Sequence, residues 1–420
     1  MSYCINPKCE GRHNQGDEAT CLTCGTPLLI EKQYRLLRPL RDLDEPSNTE
    51  VFEVKVGENP KVLKVLQNPN LLPWFQREAQ VLKHLNYPGI IPRVEQDGYF
   101  PFKLKNGKEL YCLVMEKLEG ENLEQWLKKN KSLPQAEAVE WLKQLITILN
   151  ILHENKLFHR DIKLSNILLK SDKKLALLDF GTVREKTKTY QEKCTNYREM
   201  TAIVSPGYSP LEQVNGRGVE QSDFYALGRC FVYLLTGVHP LDFPEDEQTR
   251  KLIWYDSDRK DNISLVKWIK DSIAPPSSKQ DCVHLHTYVR HPGFSEDKQI
   301  SRSIERNSDL TIDTWLAKLI DYLIEPIVDK RPRDTKEILN RLKLEQQFLQ
   351  EEIQQQRSRQ KNKFFHLCDI VLSITVLITS FFYLKDLYFD ESTSRKQKSD
   401  SNKQEKIYSG NINAQSTKKC

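Results

Sequence analysis

Residues 158–181 read FHRDIKLSNILLKSDKKLALLDFG. Two apolar runs, residues 167–169 and 175–178, flank a polar turn at residues 171–174. That pattern predicts a short buried hairpin. The charged and amide groups gather at its two lips. His159, Arg160, Asp161, Lys163 and Asn166 precede the first run, and Asp179 follows the second. A buried hairpin fixes such groups in place without burying them.

His159-Arg160-Asp161-x-Lys163-x-x-Asn166 and Asp179-Phe180-Gly181 resemble the catalytic-loop and magnesium-loop signatures of eukaryotic-like protein kinases. The resemblance implies a role for each. Asp161 orients a substrate hydroxyl and accepts its proton. Asn166 and Asp179 hold Mg2+, a hard cation that prefers oxygen ligands. Lys163, two residues after the aspartate, follows the Ser/Thr-kinase pattern and contacts the transferred phosphate. Gly181 gives the second loop backbone freedom. Phosphoryl transfer depends on positioning and charge neutralisation more than on covalent help, which suits this set of residues.

Upstream, residues 34–118 read as a small β-rich lobe. Val51-Phe52-Glu53-Val54 alternates as a strand, and Val62-Leu63-Lys64-Val65-Leu66 resembles the kinase strand that carries the ATP-contacting lysine. By that resemblance Lys64 grips the α- and β-phosphates, and Glu78, on a predicted helix over residues 74–85, pairs with it. Residues 111–115 end in Glu116-Lys117-Leu118, a hinge whose backbone would bind adenine, with Met115 as gatekeeper. Val62 and Leu168 complete the expected nucleotide contacts. One part departs from the family. Where the phosphate-covering loop should be glycine-rich, residues 40–51 read LRDLDEPSNTEV, with no glycine and four acids, Asp42, Asp44, Glu45 and Glu50. Ser47-Asn48-Thr49 can still form a tight turn.

Downstream, residues 133–155 predict an amphipathic helix with Val139, Leu142, Leu145, Ile146, Leu149 and Leu152 on one face. Residues 182–205 suit an activation loop whose hydroxyls, Thr195 and Thr201 foremost, could be phosphorylated and paired by Arg160. The segment from Ser205 to Glu212 resembles the family's substrate-side segment, with Glu212 expected to meet Arg331 and Ser205 to lie near Asp161. Asp223 matches the aspartate that anchors the catalytic loop. Residues 243–309 are longer and more polar than the family needs and are expected to be an inserted surface excursion. They include Cys282, His284, His286 and His291, for which incidental histidines are the expected reading over a second metal site. Residues 310–345 return to a helical pattern.

At the start of the chain, Cys4-x4-Cys9 and Cys21-x2-Cys24 have the spacing of a four-thiolate zinc ribbon over residues 1–30. So short a segment builds no core of its own, so the metal would supply its folding energy. Redox pairs or disulfides are the alternatives, which a reducing compartment disfavours. No apolar signal region opens the sequence. The net charge of +5 over 420 residues, without a basic stripe, argues against nucleic acid as a partner. Near the end, residues 346–363 read as a polar connector. Residues 364–384 are mainly apolar and long enough as a helix to cross a bilayer. Arg357, Arg359, Lys361 and Lys363 precede them, which places the N-terminal side in the cytoplasm. Residues 385–420 are polar and expected to be disordered.

The expected fold is α+β: a bilobal protein-kinase fold over residues 34–345, with an N-terminal zinc ribbon and one C-terminal transmembrane helix. The expected function is that of a bacterial-type Ser/Thr protein kinase. It would use ATP and Mg2+ with structural Zn2+, be anchored in the cell membrane with its kinase domain cytoplasmic, act on protein substrates, and pair with a second copy for trans-autophosphorylation. Two other readings stand beside it. One is a pseudokinase scaffold, suggested by the glycine-free loop. The other is a small-molecule kinase, against which Lys163 and the segment from Ser205 to Glu212 weigh.

Overall fold

The structure, a computed structural model, describes residues 2–44, 47–57, 59–185, 204–255 and 312–412. The chain divides into two units, residues 1–343 and 344–420. In the first unit, alternation of apolar and polar residues makes three long strands: Tyr34–Pro39 (preceded by three two-residue strands, and so β4), Thr49–Val56 (β5) and Asn59–Leu66 (β6). The three short strands are Ser2–Tyr3 (β1), His13–Asn14 (β2) and Leu29–Ile30 (β3). With Val94–Lys103 (β7) and Glu109–Glu116 (β8), β3 to β8 form one antiparallel sheet in the order β3-β4-β5-β6-β8-β7. Phe52 and Val54 of β5 and Leu63 and Val65 of β6 share one core with Leu36 and Val114. Because strand side chains alternate, Lys64, between Leu63 and Val65, belongs to the opposite face. There the helix Leu72–His84 (α1) lies, with Phe75, Glu78, Ala79 and Leu82 buried.

The first thirty residues join this sheet rather than hang from it. β1 pairs with β2, and β3 pairs with β4 in the register Ile30↔Tyr34. Ile5 and Ile30 lie in the same core as Phe52 and Val54. Arg12 forks onto Glu50 of β5, with Nη1–Oε1 and Nη2–Oε2 distances of 2.9 and 2.7 Å. Its guanidinium also lies over the rings of Tyr3 and Phe52.

The helical part is built on two long elements. The helix Gln135–Glu154 starts at Pro134 and buries Ala138, Trp141, Leu142, Leu145, Ile146, Leu149 and Leu152. Val139, expected on the same face, is only half-buried. The helix Glu220–Thr236 is buried on nearly every side and is stopped by Gly237 in the left-handed conformation, φ 68°. It passes so close to the end of the helix Thr314–Leu323 that a Cβ on Gly228 would meet Ile324 Cγ2 at 2.5 Å. Against the helix Gln135–Glu154 lies the hairpin of Ile167–Leu169 and Leu175–Leu177, paired Ile167↔Leu177, as the opening stretch predicts.

Within residues 243–255, expected to open a surface excursion, three side chains instead enter the core, while residues 247–251 are exposed. Phe243, Leu252 and Trp254 are buried, and Trp254 Nε1 donates to Asp321 Oδ1 at 2.6 Å. An indole buried with its N–H satisfied behaves as core and not as an inserted loop. Cys282, His284, His286 and His291 lie outside the described residues, as do Thr195 and Thr201.

The last helix, Thr335–Ile412, begins in the first unit, where Ile338 and Leu342 are buried, and makes up the described part of the second. It takes in the polar connector and the apolar segment. It also takes in residues 385–412, for which polarity predicts disorder. No glycine or proline occurs from Thr335 to Ser409, so nothing in that span breaks a helix. From residue 364 to 385 every side chain is exposed.

Candidate active site

The loop that follows Phe158 has little regular structure, and one side chain organises it. Asp223, fully buried in the first turn of the helix Glu220–Thr236, accepts the His159 N–H on Oδ2 and the Arg160 N–H on Oδ1, both at 2.8 Å. His153 Nε2 donates to Oδ2 at 3.1 Å. Gln213 Nε2 donates to the Arg160 carbonyl at 2.6 Å. Held this way, Arg160 adopts φ 68°, a conformation that costs a non-glycine residue free energy and needs such over-determination. His159 is buried, which lowers its pKa and keeps it neutral. Its Nε2–H donates to the Leu178 carbonyl at 3.1 Å, and its Nδ1 accepts the Asp161 N–H at 3.3 Å.

Asp161 is thereby delivered to a cluster of donors. Its Oδ1 accepts the Ser205 hydroxyl at 2.6 Å. Its Oδ2 accepts Asn166 Nδ2 and Lys163 Nζ, each at 2.9 Å. Asn166 also donates to the Asp161 carbonyl, at 2.9 Å. With its amide nitrogen committed, Asn166 leaves Oδ1 buried and without a hydrogen-bond partner. An unsatisfied buried carbonyl costs about 1–3 kcal/mol. A hard cation at this point would satisfy it.

The second loop carries Asp179 with φ 62°. The left-handed residue is therefore the aspartate and not Gly181. Gly181 sits in a tight spot instead: a Cβ there would lie 3.1 Å from Glu78 Oε2, close enough that the carboxylate would have to give by a few tenths of an ångström. Phe180 is buried against the His159 ring, with centroids 5.1 Å apart. Lys64 Nζ reaches both Glu78 oxygens at 2.8 and 2.9 Å and Asp179 Oδ1 at 2.7 Å. Arg41 Nη2 lies 3.3 Å from Asp179 Oδ2.

The charges in this line set one another's protonation. Burial opposes the Lys64 ammonium, but Asp179 and then Glu78 push its pKa up to about 12. Burial also opposes the Asp179 carboxylate, yet the cations Lys64 and Arg41 hold it well below the ordinary range. Glu78 is shifted upward by burial and by Asp179, against the pull of Lys64.

The residues expected to contact adenine come from the β-sheet, from the segment after β8 and from the hairpin. Val62 pairs with Met115, and Lys61 with Glu116, between β6 and β8. Leu118, two residues past the end of β8, is half-buried. Leu168 approaches the hinge end, where a Cβ on Gly120 would meet its Cγ at 3.0 Å and the Leu169 carbonyl at 2.4 Å. Glu212 and Arg331, separated by 119 residues, form the expected buried pair, with an Nη1–Oε1 distance of 2.6 Å. Ser222 adds a hydrogen bond to the same carboxylate at 2.7 Å. Two ion pairs escaped the sequence reading, Arg12–Glu50 and Arg41–Asp179. The second left a trace in the chain, a cation directly after Leu40 in a loop otherwise notable for its acids.

A second cluster lies at the chain start. The sulfurs of Cys4, Cys9, Cys21 and Cys24 all fall within 4.8 Å of one another. The Cys4–Cys24 and Cys9–Cys21 separations are 3.6 Å, and none of the four is in a disulfide. Tetrahedral Zn–S bonds of about 2.3 Å place sulfurs about 3.8 Å apart, close to these values. Backbone amides face each sulfur: Asn6 toward Cys4, Gly11 toward Cys9, Thr23 and Cys24 toward Cys21, and Thr26 toward Cys24. The donor set fits Zn2+.

The family model described as "Protein kinase domain" matches residues 47–342. Serine/threonine-protein kinase B of Synechocystis is 31% identical over 271 residues, covering 60% of this chain and 45% of that protein. Serine/threonine-protein kinase PknA of Nostoc is 33% identical over 243 residues, 54% and 41% of the two chains. Serine/threonine-protein kinase PrkC of Bacillus subtilis is 31% identical over 219 residues, 51% and 32%. The matched part spans less than half the length of each of these relatives.

Asp223→Ala leaves the buried amides of His159 and Arg160 without an acceptor. It should destabilise the fold by about 2–5 kcal/mol, whereas Asp223→Asn, which keeps one acceptor oxygen, should cost less. Denaturant midpoints of the two variants check the order; equal midpoints would remove Asp223 from its anchoring role.

Proposed function

This chain belongs to the protein kinase family, and on that premise we propose that it is a membrane-anchored Ser/Thr protein kinase that transfers the γ-phosphoryl group of ATP to protein hydroxyls. The observation that carries the catalytic reading is the pairing of a satisfied Asp161 with the orphaned Asn166 Oδ1, together with Lys64 fixed between Glu78 and Asp179. In the proposed reaction the substrate hydroxyl oxygen bonds to the γ-phosphorus. The bond to the β,γ-bridging oxygen breaks, ADP leaves, and the hydroxyl proton passes to Asp161. Ser205, Lys163 and Asn166 orient that carboxylate. Lys64 steadies the α- and β-phosphates, Val62 and Leu168 close on the adenine, and the backbone of Glu116 and Leu118 pairs with its edge. Mg2+ held by Asn166 and Asp179 would neutralise charge on the transferred group. Autophosphorylation between two copies fits the hydroxyl-rich segment after Glu185.

Asp161→Asn keeps the shape of the side chain and removes the proton acceptor. Phosphate transfer to a generic protein substrate by the full-length chain in detergent should fall roughly 10^2–10^4-fold, with the thermal midpoint little changed. Wild-type protein that binds MgATP yet transfers nothing would favour the scaffold reading.

The four-thiolate site is read as structural zinc. Purified protein should carry about one Zn2+ per chain, the stoichiometry of a single closed four-ligand site. Because Ile5 and Ile30 share the core of the β-sheet, chelation should lower the stability of that sheet as well as of residues 1–30. Elemental analysis followed by thermal melting with and without chelator reads both. Metal-free protein that melts like the untreated sample would sink the assignment.

The exposed apolar stretch 364–384, preceded by four cations, supports a single span with the kinase domain cytoplasmic. The full-length chain should sediment with membranes through an alkaline carbonate wash and be released by detergent. Release by carbonate alone would overturn the span.

A further inference from the structure

In a protein kinase the turn between the first two long strands brings backbone amides over the nucleotide phosphates, and glycine permits that approach. The equivalent turn here, residues 40–51, contains no glycine. Its base is closed by the Leu40 N–H, which donates to the Val51 carbonyl at 2.8 Å. Arg41 is therefore the first residue to leave the ladder.

Its side chain does not run out to solvent. It is about half exposed and turns inward to Asp179, where its Nη2 lies 3.3 Å from Oδ2. The other oxygen of the same carboxylate is held by Lys64 at 2.7 Å. Arg41, Asp179, Lys64 and Glu78 thus form a line of alternating charge that runs from the half-exposed Arg41 to the buried Glu78. Among the described residues, two nearby acids have other partners. Asp42 Oδ1 accepts the Asp44 N–H at 3.0 Å, a turn within its own loop. Glu50 is taken by Arg12 at 2.7 and 2.9 Å. Among the described residues, Asp179 is the acid that pairs with Arg41.

Asp179 is also the carboxylate assigned above to Mg2+, so this inference rests on that assignment. A divalent cation held by Asp179 would compete with the guanidinium for that carboxylate and would be accompanied by the nucleotide's polyphosphate. A guanidinium released there faces anionic oxygens, and its planar fork suits phosphate.

We propose that Arg41 is a ligand of the nucleotide phosphates: it exchanges its ion pair with Asp179 for the phosphates of MgATP. Its side chain thereby supplies the contact that a glycine-rich loop makes through backbone amides.

The test measures binding, not turnover. Equilibrium affinities of MgATP and adenosine are determined for the full-length chain in detergent, for wild type, Arg41→Ala and Arg41→Lys. Loss of one charge-assisted contact should weaken MgATP binding to Arg41→Ala by about tenfold to a hundredfold. Adenosine, which has no phosphate, should bind all three proteins alike, and Arg41→Lys should recover part of the loss. Unchanged MgATP affinity in Arg41→Ala overturns the proposal, and so does a wild type that binds no MgATP. Tighter MgATP binding by Arg41→Ala overturns it in the opposite sense, making the Arg41–Asp179 pair a lock on the metal site. Equal losses for MgATP and adenosine would reduce Arg41 to a support of the loop. A wild type that binds MgATP through Arg41 but transfers no phosphate would leave this inference standing and remove only the catalytic reading.

Discussion

The Asp223 carboxylate accepts the backbone amides of two consecutive residues, His159 and Arg160, and the site depends on that bracket. A loop with little regular hydrogen bonding has no reason of its own to hold Asp161 in one place. Asp223 provides the reason, because it projects from a helix that is buried on nearly every side and cannot shift without disturbing the core. The left-handed Arg160 and the neutral, doubly hydrogen-bonded His159 follow from the same constraint. Burial of the anion is tolerable because each of its oxygens is satisfied.

The second organising feature is electrostatic. Lys64 and Glu78 are almost fully buried, and Asp179 is partly so. Ion pairs removed from water rarely add net stability, because desolvation offsets most of the attraction. Their effect here is geometric: they tie α1, the sheet and the loop after Leu178 to one another. Arg41 extends that line to a half-exposed guanidinium, and Arg12 brings the N-terminal segment onto the foot of the same loop through Glu50. Residues 1–30 are thus part of the lobe that carries Lys64, through β3 pairing, through Ile5 and through Arg12.

Much of this was legible in the chain because the signals are local. Asp161, Lys163, Asn166 and Asp179 stand at fixed spacing around a hairpin whose period-two pattern is strong. Lys64 lies between two core residues of an alternating strand, so its face is set once the strand is recognised. The pairs Lys64–Glu78 and Glu212–Arg331 were expected by resemblance, and the structure brings both together. Four cysteines in two spaced pairs announced a common centre. Other features were read wrongly for an equally physical reason. Trp254 lies in a polar stretch, and only its partner Asp321, 67 residues away, shows that it belongs to the core. Gly181 looked like the conformationally special residue of its loop, whereas the left-handed conformation falls on Asp179.

The sequence by itself determined the family, the constellation proposed as catalytic and the candidate metal ligands, since each rests on residue type and short spacing. It also carried the long apolar stretch and the absence of glycine in the phosphate loop. Only the tertiary structure decided that Arg41 turns inward to Asp179, where the N-terminal segment docks and that the Asn166 amide oxygen is left without a hydrogen bond. Those outcomes depend on groups brought together from distant parts of the chain, as in Arg41 with Asp179 and Arg12 with Glu50. A cation in a loop carries no information about its partner until folding places a carboxylate within a few ångströms of it.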